Sequence, residues 1–200
     1  MTFKQVKFAA AVVATLAAVA AAPAHAGKTL DAIKARGQIV CGVNTGLAGF
    51  AAADSAGKWS GLDVDVCRAL AAAVLGDANK VRWVPLSAQQ RFTALQSGEV
   101  DLLARTTTYT LTRDTALGFD FTGVNYYDGQ GFMAKKELGV TSALELDGAS
   151  VCVQSGTTTE LNLADYFRAN NMKFTPISYD KSDESAKAME AGRCDGLTSD

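Results

Sequence analysis

A chain of 200 residues, 48% hydrophobic and 20% charged with a net charge of −2, describes a soluble globular protein of one or two small domains. The balance is slightly acidic and holds no basic stripe to neutralise phosphates, which excludes nucleic acid as a partner. Its only histidine is His25.

The chain opens on Lys4 and Lys7, an apolar run from Phe8 to Ala22, and an A-x-A site at Ala24-His25-Ala26. Residues 1–26 are therefore predicted to be an export signal. A run of about fifteen residues is shorter than the ~20 needed to span a bilayer, so an uncleaved anchor is the minor alternative. Removal of the signal takes away the histidine as well. No catalytic residue, metal site or cofactor is assigned to the mature chain.

Cys41, Cys67, Cys152 and Cys194 remain in a chain sent to an oxidising compartment, where disulfides are the default. Four cysteines allow three pairings, and the sequence does not choose among them at this point. The C-x-x-C spacing of zinc and redox sites is absent.

A short helix over 30–36 is followed by a strand over 38–43. A glycine-rich turn, Asn44-Thr45-Gly46-Leu47-Ala48-Gly49-Phe50, follows. It lacks the spacing of a phosphate loop. Leu62, Val66, Leu70, Ala73 and Val74 recur at helical spacing over 62–75, with Asp63 and Asp65 in the first turn, where the helix dipole favours acids. A strand over 81–85, a helix over 88–97 and a strand over 100–104 complete a parallel α/β series.

That last strand opens into Arg105-Thr-Thr-Thr-Tyr-Thr-Leu-Thr-Arg113. Hydroxyls and a planar guanidinium at the carboxyl end of a strand suit a small anion, above all a carboxylate. The plainer alternative is a polar loop that caps the next helix.

A strand over 131–135 begins a second series: a helical turn at 144–146, strand 150–154, helix 159–170, strand 173–178 and helix 183–191. Residues 94–106 overlie 188–200, with Gly98 on Gly192, Asp101 on Asp195 and Thr106 on Asp200. Two similar lobes facing one another would set hydroxyls and Arg113 against the carboxylate of Asp200, an arrangement suited to a zwitterion. Thr157 and Glu160 have capping-box spacing, which leaves Thr158 as the better ligand candidate.

Gly61-Leu-Asp-Val-Asp-Val-Cys-Arg-Ala-Leu-Ala-Ala-Ala-Val74 resembles the signature of the polar amino-acid-binding proteins of bacterial ABC importers, solute-binding protein family 3. The resemblance extends from about Leu30 to Asp200. It takes in Arg91-Phe-Thr-Ala-Leu-Gln-Ser-Gly-Glu-Val-Asp101, the threonine-rich segment with Arg113, Asp120-Phe121 and Gly156-Thr-Thr. Within the family the chain is most similar to the general L-amino-acid-binding branch.

The resemblance implies an α/β, two-lobed periplasmic binding protein-like fold of type II, each lobe a parallel or mixed sheet flanked by helices. Lobe 1 would cover 27–131 and an incomplete lobe 2 would cover 132–200, the family's chains continuing past the position of Asp200. It implies a monomer in the periplasm that captures an L-amino acid and delivers it to a membrane permease. Arg113 would grip the α-carboxylate with help from Thr106, Thr108 and Thr158. Asp200 would take the α-ammonium, and Asn44, Leu47 and Ala88 would line the side-chain pocket. Arg105 stands where relatives carry a small hydroxyl residue, and would either pair within its lobe or meet an acidic ligand side chain. An exported dehydratase or cell-wall lyase on the same scaffold is the alternative function. In this arrangement Cys152 and Cys194 fall on adjacent parallel strands about 4.8 Å apart, which favours their pairing and leaves Cys41 with Cys67.

Overall fold

The structure is a computed structural model and describes residues 27–200; the export signal expected at 1–26 lies outside the described residues. Helix α1 (Lys28–Arg36) belongs to a unit that ends at Arg36, and Gly37 to Asp200 form a second compact unit.

Lobe 1 is built on strand β1 (Ile39–Val43), every residue of which is buried. A Cβ added at Gly42 would lie 2.6 Å from the Leu103 side chain and 2.9 Å from that of Leu86, so the strand takes glycine where its neighbours crowd in. A small antiparallel pair, β2 (Ala52–Ala53) and β3 (Trp59–Ser60), leads into helix α2 (Leu62–Leu75). Gly76 stops that helix in the left-handed conformation and donates its N–H to the Ala72 carbonyl. Strand β4 (Val81–Pro85), helix α3 (Gln90–Gln96) and strand β5 (Leu102–Leu103) follow, giving a parallel sheet in the order β4-β1-β5.

Two elements are shorter than the periodicity predicts, each for a local reason. Ser87 and Gln90 exchange side-chain to backbone bonds of 3.2 Å in both directions, and α3 starts only after that reciprocal cap. At the start of β5 the Asp101 carboxylate, not a backbone carbonyl, accepts the Val40 N–H at 2.7 Å. The stretch after β5, for which the sequence predicts no regular element, contains one π-helical turn, Thr112–Ala116, which carries Arg113.

The segment between the lobes is tied to both. Asn125 donates to Asp63 of α2 at 3.1 Å. Lobe 2 then has strands β6 (Gly131–Ala134), β7 (Ser150–Gln154), β8 (Thr175–Tyr179) and β9 (Gly196–Ser199), in the order β6-β9-β7-β8. Only the β6–β9 pair is antiparallel. Helices α4 (Thr158–Ala169) and α5 (Ser182–Glu190) join the strands. Gln130, just before β6, donates to Thr198 of β9 at 2.9 Å and to the Thr159 carbonyl at 3.1 Å.

The internal repeat is a matter of hydrogen bonds as well as spacing. Gly98 and Gly192 adopt φ of 76° and 73° after α3 and α5. Asp101 accepts from the Val40 N–H and Asp195 from the Ser150 N–H, each carboxylate clamping the strand beside its own. Cys41 is bonded to Cys67 and Cys152 to Cys194, with Cα separations of 6.4 and 5.8 Å. The pairing is the expected one, but Cys194 lies in the turn before β9, not on the strand. Register explains this, since Cys152 is opposite Leu197.

Candidate functional site

The carboxyl ends of β5 in lobe 1 and β7 in lobe 2 lead to one cleft. β5 feeds the threonine segment and β7 feeds the Ser155-Gly156 turn at the mouth of α4, whose free amides form the usual anion-favouring end of a helix. Thr157 caps α4, accepting from the Glu160 N–H at 3.2 Å, while Glu160 returns to the Gly156 N–H at 2.9 Å and to the Ser178 hydroxyl at 3.0 Å. Thr158 has no part in that cap. Its hydroxyl lies 3.2 Å from that of Thr108 across the cleft.

Thr108 also donates to the Asp200 carboxylate at 3.1 Å, and its carbonyl accepts from Arg113 Nη1 at 2.7 Å. Asp200 follows β9 and Arg113 lies on the π-turn, so Thr108 joins in one donor–acceptor cluster a carboxylate 92 positions away in sequence and a nearby guanidinium. The Arg113 guanidinium rests over the Phe92 ring, 4.9 Å from its centroid, and Phe92 in turn stacks on Phe119 at 5.0 Å. Burial draws the Arg113 pKa down while the Asp200 carboxylate pulls it back up.

Thr106 is held at φ 40°, an unusual conformation for a residue with a branched side chain. Three residues hold it there. Its N–H donates to Asp63 at 3.2 Å, its hydroxyl accepts from Asn44 at 3.4 Å, and its carbonyl accepts from Arg91 at 3.4 Å. Arg105 points into lobe 1: it is 2% exposed, and its Nε donates to the Leu86 carbonyl at 2.9 Å. Burial pushes its pKa down to about 10, and Asp63 opposes that shift. Leu47 closes a tight loop by bonding with Ala51, and Ala88 is buried in the connection from β4 to α3. Neither has a polar contact with the Thr108 cluster.

Two residues of this site escape a reading by sequence. Asp63 is 2% exposed and is an anchor for Thr106 and Asn125, not a solvated dipole partner. It lies four residues before the buried Cys67, on the inner face of α2, and that spacing was the available signal. Burial raises the Asp63 pKa, against its hydrogen bonds from Asn125 and Thr106 and the nearby charge of Arg105. Arg91 opens a motif read for its helix-glycine-strand punctuation, yet it is 2% exposed and reaches both lobes. Burial first, then the charges of Arg105 and Arg113, push its pKa down to about 9, while Asp200 opposes them. Arg91 remains a cation at neutral pH.

The cleft therefore sets Arg91 and Arg113 near Asp200 with hydroxyls between them, while Arg105 and Asp63 lie buried behind this wall in lobe 1. Among the described residues no cluster of His, Cys, Asp or Glu could hold a metal ion, and no helix is long and apolar enough to cross a membrane.

Comparison with known proteins accords with this arrangement. The chain is 59% identical over 191 residues to the General L-amino acid-binding periplasmic protein AapJ of Rhizobium johnstonii, covering 96% of this chain and 56% of that protein. It is 60% identical over 185 residues to the Glutamate/glutamine/aspartate/asparagine-binding protein BztA of Rhodobacter capsulatus, covering 92% and 54% respectively. The chain thus spans about half the length of the curated relatives it matches. Among solved structures, a periplasmic binding protein from Brucella ovis with glutathione bound is 58% identical with a TM-score of 0.81, over 87% of this chain and 55% of that one. These relatives are named for binding, and none of the three gives support to the alternative of an exported enzyme. Residues 39–189 match the family model of the bacterial extracellular solute-binding proteins, family 3, and the chain belongs to that family.

Proposed function

We propose that this chain is the greater part of the ligand-binding body of an amino-acid ABC importer's substrate-binding component. It would work in the periplasm as a monomer and deliver its ligand to the membrane permease. Lobe 1 (27–131) and lobe 2 (132–200) close on the α-amino and α-carboxyl groups that all L-amino acids share. The observation that carries the reading is the cross-cleft cluster of Thr108, Thr158, Asp200 and Arg113. Arg113 offers a planar pair of donors to the α-carboxylate, with Thr106, Thr108 and Thr158 beside it. Asp200 is the exposed carboxylate available for the α-ammonium.

Hydrogen bonds to charged groups contribute about 1.5–3 kcal/mol each, and micromolar affinity needs about 8 kcal/mol. Anchors on the shared groups thus supply most of the affinity, and one methylene in the pocket discriminates by only roughly 1–3 kcal/mol. Broad specificity follows. The surplus of guanidinium over carboxylate favours polar and acidic side chains, in keeping with the ligands named for BztA. Asn44, Leu47 and Ala88 are proposed as the side-chain wall, and Arg105 as its support from within lobe 1.

Calorimetry of the full-length mature protein against the twenty L-amino acids and glutathione, with product analysis, tests this. Binding of several amino acids without turnover is expected, with Arg113→Ala reducing affinity by tenfold or more for all of them. Chemical conversion of any ligand, or an Arg113→Ala protein that binds normally, would overturn it.

A further inference from the structure

We infer that Arg91 is a positioning residue that locks the two ligand-carrying loops together across the cleft when the lobes close. The inference rests on the closure proposed above. Arg91 Nη1 donates to the Thr106 carbonyl at 3.4 Å and reaches the Thr107 hydroxyl at 3.5 Å, both in the loop after β5 of lobe 1. Its Nη2 donates to the Gly156 carbonyl at 3.3 Å, in the turn after β7 of lobe 2. A single buried guanidinium thus divides its donors between the segment that presents Thr106 and Thr108 and the segment that presents Thr158.

Two further features fit this division. Phe92 lies 4.8 Å from the Arg91 guanidinium and holds it from below, as it holds Arg113. Gly156, at φ 73°, packs so closely on Gln89, the residue before α3, that an added Cβ would be 2.8 Å from Gln89 Cγ and 3.2 Å from its Cα and N. Backbone therefore meets backbone at this point of the interface, next to the Arg91 bridge. Opening the cleft would take the Gly156 carbonyl away from a buried cation while leaving the Thr106 and Thr107 bonds in place. The energetic consequence falls on the closed state alone. Lysine cannot substitute, because an ammonium is a compact point charge and cannot fork between acceptors on opposite walls. Arg91 reaches Thr106 only through its backbone carbonyl and makes no hydrogen bond to the side chains of Thr108, Thr158, Arg113 or Asp200, so its effect should appear in how long the cleft stays shut.

The test is hydrogen–deuterium exchange on the full-length protein and its Arg91→Ala and Arg91→Lys variants, following peptides that cover 104–110 and 154–160. Exchange at least threefold faster in both segments, with β1 unchanged, is expected for either variant. Faster exchange confined to 104–110 would make Arg91 a lobe 1 residue only and overturn the inference; if the alanine variant does not fold, the lysine variant decides. A second arm uses L-glutamate as the probe in stopped-flow fluorescence. Dissociation about tenfold faster with association within twofold is expected, whereas a merely structural role would lower the melting temperature and slow association. Failure of the parent protein to bind L-glutamate would count against the acidic-ligand reading alone, since the exchange experiment needs no ligand.

Discussion

The two lobes share a plan and differ in where they keep charge. Lobe 1 buries Arg91, Arg105 and Arg113 together with Asp63, and packs a mainly aliphatic core of Val40, Leu86, Ala94 and Val100. Lobe 2 keeps Asp200 exposed, and surrounds Leu163 and Phe167 with Phe132, Tyr166 and Phe174. Arg91 divides its donors among Thr106, Thr107 and Gly156, whereas the hydrogen bond of Arg105 goes to the Leu86 carbonyl and that of Arg113 to the Thr108 carbonyl. The lobe 2 wall offers hydroxyls, a helix terminus and one accessible carboxylate. The comparison teaches that lobe 1 concentrates buried charge where lobe 2 concentrates aromatic packing.

Substitutions in the two cores should give the largest effects. Phe167 is fully buried and makes ring contacts with Phe132, Tyr166 and Phe174. Phe167→Ala is expected to cost about 3–5 kcal/mol in denaturant unfolding, and Leu86→Ala to fall toward the low end of the ~2–5 kcal/mol range. Equal losses would mean that the aromatic cluster adds nothing beyond ordinary packing.

The contrast between the two carboxylates is the next to test. Asp63→Ala leaves the Thr106 N–H and the Asn125 amide without their acceptor, and a loss of about 1.5–3 kcal/mol is expected. Asp200→Ala should leave the unfolding midpoint unchanged and weaken amino-acid binding in calorimetry. Comparable destabilisation by both would break the division between structural and accessible charge.

The smallest effect is a pH dependence of opposite sign in the two lobes. The Ser150 hydroxyl, then its N–H, hold the Asp195 carboxyl below the usual carboxylate range. Its contribution is present above the unfolded value of about 3.9 and is lost as the pH falls through the depressed folded value. Asp195→Asn should therefore lower the melting temperature at pH 7 by roughly 1–3 °C, a modest amount because the group is exposed, and the difference should vanish in strong acid. Asp63 runs the other way: burial raises its pKa, so its contribution is present below about 3.9 and declines as the pH rises through the raised value. A melting difference for Asp195→Asn that grows on acidification would refute the assignment.

Much of this was legible in the chain. Residues 62–75, 81–85 and 150–154 were predicted with the limits that β4, β7 and α2 show, because apolar periodicity and terminal glycines act within one turn or one strand. Where a side chain took over a backbone duty, as Asp101 does at Val40 and Ser87 with Gln90 at α3, the limits moved. That Asp200 would face the hydroxyls and Arg113 was also expected, since the repeat that aligns Asp101 with Asp195 brings equivalent strand ends together, while Thr108 entered only through the family resemblance.

The sequence by itself thus determined most of the elements and the two-lobed plan, which follow from local periodicity and from a pattern used twice. Only the tertiary structure decided what the arginines do. Arg91, Arg105 and Arg113 are chemically the same, and a guanidinium finds its role from whichever carbonyls surround it: Gly156 across the cleft, Leu86 within lobe 1, or Thr108 at the cleft's edge. Those acceptors are backbone atoms, which every residue carries, so no residue type marks them in advance.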